Sequence, residues 1–404
     1  SFGSFRDAIP FFSRRIGIAK DSVGNTIQNK IIGGIRLSGK IDENWRLGFL
    51  NIQNSEDIKN QIASNNNSMF AIQRKVFGGS QIGAFIVNRE TFGNYDFLEA
   101  NDKYNRVVGL DYNLASSNNR WIGKFYTHKS FKPNDKEGNL SSFASIFYNT
   151  REWKLYSNTV FVDEDFRSDL GFIRRTGIIK TGNSITRNFY PKKGKINSHG
   201  FRFLHLSWLQ QNLNYFKTDE SFNFEYTLST NNQNQLQLGF NNKFVFLFNS
   251  FDPSRTDGAL ELPSETDYNY NEWNLNYRLN FANPFIFNSE LTYGGFFNGT
   301  KLSYTGTLGY RFQPKFIFTL QLDYNKIELP RPYSSNDIIL IRPKFDFTFT
   351  KNIFWSTLIQ YSNLTNNLGI NSRLQWRFAP LSDLYLVYND NYYTQEFGPV
   401  FRSI

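Results

Sequence analysis

Residues 368–378 read LGINSRLQWRF. Leu368, Ile370, Leu374, Trp376 and Phe378 fall on one parity, interrupted only by Ser372, while Gly369, Asn371, Arg373, Gln375 and Arg377 fall on the other. Successive side chains of a strand point to opposite faces, so this ribbon has one apolar face and one polar, cationic face. The fold turns on what meets the apolar face: a second sheet in a soluble sandwich, or hydrocarbon in a membrane barrel.

The same alternation recurs along the chain. Trp273, Leu275, Tyr277, Leu279 and Phe281 alternate with Asn274, Asn276, Arg278 and Asn280. Phe316, Phe318, Leu320, Leu322 and Tyr324 alternate with Ile317, Thr319, Gln321, Asp323 and Asn325, and Phe345, Phe347 and Phe349 with Lys344, Asp346, Thr348 and Thr350. Helical spacing is missing, so the chain reads as all-β. Each alternating segment runs about 9 to 12 residues, enough at roughly 3.3 Å per residue and a tilt near 40° to cross an apolar band of about 25 Å. Strands of soluble proteins average only about 5 to 6 residues.

Connections of two lengths separate these segments. Short ones fall at 40–44, 78–81, 116–119, 149–152, 230–233, 282–284, 313–315, 350–352 and 379–383; longer polar ones fall between them, most clearly 55–67, 92–102, 163–177, 249–268 and 329–337. Alternating short and long connections are the asymmetry of an up-and-down antiparallel transmembrane barrel, with tight periplasmic turns and longer external loops. Counting by parity gives about twenty strands between residues 31 and 393. A further strand at 10–19 and another after 397 bring the expected total to about 22 (20–22), an even number with both ends in the periplasm. Two stretches depart from the pattern. Leu50 and Ile52 break parity with Leu47 and Phe49, and 203–210 is apolar on both faces; a bulge, or a strand packed on something inside the lumen, accounts for either.

Composition fits a barrel. Aromatic residues make up 18% of the chain, with 43 Phe and 22 Tyr, and Tyr or Trp lies near many strand ends (Trp45, Trp121, Trp153, Trp273, Tyr324, Tyr361, Trp376), where interfacial girdles belong. The longest apolar runs, 244–248 and 338–341, fall far short of the roughly 18 to 20 residues of a membrane helix. A mean hydropathy of −0.49 does not argue against a membrane, because half the strand residues of a barrel face a polar interior. Cysteine is absent, which excludes disulfides, thiolate metal sites and thiol nucleophiles. The formal charge of +10 is scattered over strands and turns rather than clustered, which argues against nucleic acid; outer-membrane lipid and lipopolysaccharide are the partners expected of a barrel.

Few residues suggest chemistry. His128, His199 and His205 form no HExxH or other ligand spacing, so no catalytic residue, metal or cofactor is assigned. The connection 163–177 carries Asp163, Glu164, Asp165 and Asp169 ahead of Arg174 and Arg175. It reads either as a ligand-gripping external loop or as an internal salt-bridge network folded into the lumen; the mixed charges favour the network. Arg174 and Arg175, with Arg278, Arg311, Arg373 and Arg377 on polar strand faces, are the candidate binding residues for an anionic solute. The four strand arginines equally have Asp323, Asp346 and Glu225 as possible ion-pair partners that would hold the lumen shut.

The blocks FFSRRIG (11–17), GGIRLSGKIDENWRLGFLNIQ (33–53), NRVVGLDYNL (105–114), DLGFIRRTG (169–177) and NSRLQWRFAPLSDLYLVYND (371–390) resemble a Bacteroidota outer-membrane barrel family in which the barrel follows a family-nine-like carbohydrate-binding module. The resemblance spans nearly the whole chain. It implies an outer-membrane location in a Gram-negative bacterium, an upstream module and a barrel end beyond Ile404; it brings no catalytic or binding residues. The expected organisation is a single barrel domain over 1–404, a fragment lacking its amino-terminal module, with 1–20 as lead-in and first strand. The expected role is an accessory, scaffold or binding component of a cell-envelope assembly with other envelope proteins as partners. A substrate-selective porin for anionic saccharides or peptides, and a barrel hydrolase, are the alternatives.

Overall fold

The computed structural model of the chain describes residues 8–134, 139–394 and 398–399. Among them are twenty long strands, from Ile31–Lys40 to Ser382–Tyr393, in a large antiparallel sheet. That agrees with the parity count between 31 and 393. The strand expected at 10–19 does not form. Ala8–Ile9 pairs with Phe172–Ile173, Ser13–Arg15 makes one turn of 3-10 helix, and Ile18–Lys20 pairs with Thr26–Gln28. Pro10 supplies no N–H to a ladder and Gly17 sits at φ +83, so the backbone turns where a spanning strand would have to run straight. Of the strand expected after 397, Gly398 and Pro399 pair with Tyr393 and Tyr392, and the rest lies outside the described residues.

Contacts divide the chain into two compact units, Ser1–Ile185 with Leu204–Glu220, and Thr186–Phe203 with Ser221–Ile404. In the first, Trp45–Asn54 pairs with Asn65–Val76 without a register shift. Leu50 lies opposite Met69 and Gly48 opposite Ala71, on the face that also carries Phe85, Val87 and Val107. The broken parity at Leu50 and Ile52 therefore comes with no register shift against Asn65–Val76; both side chains lie on the face of the buried cluster and line an apolar cavity with Phe11 and Ile16. That face holds the buried cluster of Ala71, Phe85, Val87, Val107, Tyr126, Phe143, Val160 and Val162, joined by Ala8, Phe166 and Leu170 from outside the long strands. The stretch 203–210 has an equivalent cause in part: Leu206 lies beside Gly182, and Trp208 sits under the Lys180 ammonium at 5.0 Å.

The second unit answers the question posed by LGINSRLQWRF. Asn367–Ala379 pairs with Ile353–Ser362 on one side and Ser382–Tyr393 on the other. None of its residues is buried; Trp376 is 47% and Phe378 58% exposed. Among the described residues no second sheet covers the apolar face, which argues against a sandwich. The same holds for Phe224, Trp273, Tyr293, Leu308 and Phe349, each exposed on the apolar face of its strand. Aromatic rings gather at the short-turn ends, with Phe347 and Trp355 5.2 Å apart, Phe347 and Phe349 5.9 Å, and Phe285 and Tyr310 5.0 Å. Connection lengths alternate less strictly than the sequence suggested, because the hairpins at 297–298 and 363–366 are tight on the side that otherwise carries loops.

Candidate functional site

The first unit fills one face of its own sheet with its own chain. The segment from Ala8 to Lys30 and the connection after Val162 are tied together by main-chain and side-chain bonds. The Phe12 N–H donates to the Leu170 carbonyl at 2.6 Å, the Ser168 hydroxyl to the Pro10 carbonyl at 2.7 Å, and Arg15 Nε to the Gly171 carbonyl at 3.2 Å. Gly171 permits this approach: a Cβ there would lie 2.3 Å from the Ile9 carbonyl oxygen.

Four charged side chains lock the connection to the strands. Arg167 Nε meets Asp169 Oδ1 at 2.6 Å and its Nη2 meets Asp102 Oδ1 at 2.6 Å, while Arg89 Nη1 reaches Asp169 Oδ2 at 3.0 Å. Asn105 completes the clasp, accepting from the Asp169 N–H at 2.9 Å and donating to the Arg167 carbonyl at 3.1 Å. Burial alone would lower the affinity of Arg167 for its proton; the carboxylates of Asp169 and Asp102 outweigh burial and hold it above its ordinary value. Sequence reasoning favoured an internal network here, and the network is present, though it runs through Arg167 and not the expected Arg174 or Arg175. Arg174 is exposed, and Arg175 reaches Asp219 at 3.5 Å.

Beside this clasp lies a polar cavity of about 540 Å³. Asn29, Asn54, Asn65 and Asn67, all buried, form an amide floor. Asn67 Nδ2 donates to Asn54 Oδ1 at 2.7 Å and to Asn65 Oδ1 at 2.9 Å, which fixes the orientation of its amide. Among the described residues its Oδ1 accepts from no donor. The signal for this site was present as NNNS at 65–68, since asparagine is depleted in strands and a run of three there calls for a reason.

In the second unit the expected arginines are each engaged locally. Arg278 donates to Gln235 Oε1 at 2.7 Å and lies over the Phe281 ring at 5.5 Å. Arg311 donates to the carbonyls of Phe281 and Asn283 at 2.6 and 3.2 Å, bracing a turn. Arg373 lies over the Tyr385 ring at 5.7 Å, and Arg377 pairs with Asp383 at 3.2 Å. The acids named as alternative partners go elsewhere: Asp323 to Arg342, Asp346 to Lys344 at 2.8 Å, and Glu225 to Arg202 at 3.8 Å. Short-range pairing along and between neighbouring strands thus takes up both sets.

The histidines have separate surroundings. His128 is stacked on Tyr126 at 4.3 Å and meets Phe85 edge-on at 5.0 Å; His205 Nε2 lies 3.2 Å from Glu220 Oε1; His199 stacks on Phe189 at 5.1 Å. Among the described residues no group of three or more His, Cys, Asp or Glu is placed to hold a metal ion. No family model matches the chain, and no curated protein is significantly similar to it.

Proposed function

We propose that this chain is an integral β-barrel of the outer membrane of a Gram-negative bacterium, serving as a scaffold or binding component of an envelope assembly. The bare apolar face of the long strands supports the membrane. From Phe316 to Tyr324 the apolar parity extends about 26 Å along the strand at roughly 3.3 Å per residue, which at a tilt near 40° covers about 20 Å of an apolar band of about 25 Å. Hydrocarbon also argues for closure, because an open edge would leave a row of N–H and C=O groups unpaired at several kcal/mol each. The family resemblance belongs to the same proposal.

One observation carries the scaffold reading over a porin. On the face of the first unit that carries the buried cluster, Ala8, Phe11, Ile16, Phe166 and Leu170 of the same chain pack against the long strands, and the connection is held by the Arg167–Asp169–Arg89 clasp. A wide channel has no use for an apolar cluster and an ionic clasp on its inner face, whereas a plugged or packed lumen does. Planar-bilayer recording of the purified chain is the test. We expect no stable conductance, and stoichiometric envelope partners on gentle extraction from native membranes. A steady open pore, selective for anions, would replace this reading with the substrate-selective channel.

A further inference from the structure

We propose that the amide-floored cavity of the first unit is a binding site for a small, net-neutral solute that presents a hydrogen-bond donor, an O–H or N–H, to Asn67. Three observations carry this. Asn67 is only 2% exposed, and its amide is oriented by two donated bonds, which leaves Oδ1 as a buried acceptor without a donor among the described residues. Such atoms are rare in native proteins because each costs the desolvation of the group, and a bound ligand or water is the usual answer. The cavity, about 540 Å³, is far larger than the ~30 Å³ that one water occupies and falls in the range of small-molecule sites.

The lining chooses the chemistry. Lining cations (Arg15, Lys20, Arg89, Arg167) and lining anions (Glu99, Asp102, Asp169) nearly balance, and Arg89, Arg167, Asp102 and Asp169 are already committed to one another. A strongly charged solute would meet no excess of opposite charge. Amides that donate and accept, with Phe97 and Leu98 among the lining residues, suit a ligand that is polar but uncharged overall. Both a short oligosaccharide and a short peptide have this chemistry.

Calorimetric titration of the whole chain in detergent micelles distinguishes the sources, with maltotriose and cellobiose as one set and triglycine and trialanine as the other. We expect one set to bind at about millimolar or tighter, corresponding to ~4 kcal/mol or more. Asn67→Leu, which removes the acceptor, and Thr26→Trp, which fills the cavity from its exposed rim, should each weaken that binding at least about tenfold, or ~1.4 kcal/mol. Sugar binding assigns O–H donors, and peptide binding assigns N–H donors. Should Asn67→Leu fail to fold because Asn54 and Asn65 lose a partner, Thr26→Trp alone decides. Heat from neither set means that water alone satisfies Asn67 and overturns the proposal, as does binding that Thr26→Trp leaves unchanged.

Discussion

Asp169 is where the smallest change should have the clearest effect. Its side chain is only 13% exposed and receives both Arg89 and Arg167, so Asp169→Asn leaves two partly buried guanidinium groups short of a counter-charge. Surface ion pairs contribute up to about 1 kcal/mol and fully buried ones, when broken, cost about 3–5 kcal/mol; this intermediate site should lose roughly 1–3 kcal/mol. The loss should appear as faster proteolysis within 163–177 in the intact, detergent-solubilised protein, with Arg174→Ala, an exposed position, as the unaffected control. Asp252 carries a pH-dependent counterpart in the second unit. Partial burial opposes its charge, but the Ser254 hydroxyl and the N–H groups of Thr256 and Ser254 outweigh burial and hold the carboxyl below its ordinary 3.8. A depressed folded-state value means that the stabilisation is present above the unfolded value and is lost as pH falls through the folded one. The segment 251–262, bridged at Phe251 and Leu262, should therefore keep its protection from an acid protease near pH 4 and lose it progressively below, and Asp252→Asn should flatten that profile.

The strands of the second unit were legible because one face is apolar and, among the described residues, stays uncovered. In Asn367–Ala379 the parity written in LGINSRLQWRF is the parity of the folded strand, with Arg373 and Arg377 opposite Val387 and Asp383. In Trp45–Asn54 the pattern blurred because Leu50 and Ile52 turn to the face of the buried cluster, where they line a cavity with Phe11 and Ile16, a setting that depends on residues far away in the sequence. The segment 10–19 was misread for a related reason: Phe11, Phe12, Ile16 and Ile18 suggest a strand, but Phe11 and Ile16 pack against the buried cluster rather than on a spanning face. The clasp was half visible. The charges of 163–177 marked it, but Arg89 and Asp102 join it from other connections and strands, and periodicity carries no such information. The apolar face can be tested directly. Leu374→Arg places a charge among residues that should face hydrocarbon and should cost about 2–4 kcal/mol near the midplane, whereas Gln375→Arg, on the polar face, should cost little. Denaturant unfolding in lipid vesicles reads both; equal costs would mean that the apolar face does not meet lipid.

At the level of the whole molecule, large hydrophobic residues are left exposed on many strands, as the proposed membrane setting requires. Isoleucine, leucine, phenylalanine and tryptophan side chains 40–70% exposed recur on strand after strand, among them Ile35, Leu110, Phe224, Trp273, Phe312 and Phe378. A contiguous apolar patch of more than a few hundred Å² marks an interaction surface, and here the patch follows the strand faces rather than a single spot. No helix among the described residues is long and apolar enough to cross a membrane, so if the chain is embedded, its strands must carry it. A sheet whose main-chain bonds are all made between strands resists detergent unless heated. Unheated protein in dodecyl sulfate should therefore migrate faster on electrophoresis than boiled protein, and removal of detergent should precipitate it. A chain that stays monodisperse in plain buffer, with one mobility before and after heating, would mean that those phenylalanines are covered by protein, and the membrane would have to be given up with them.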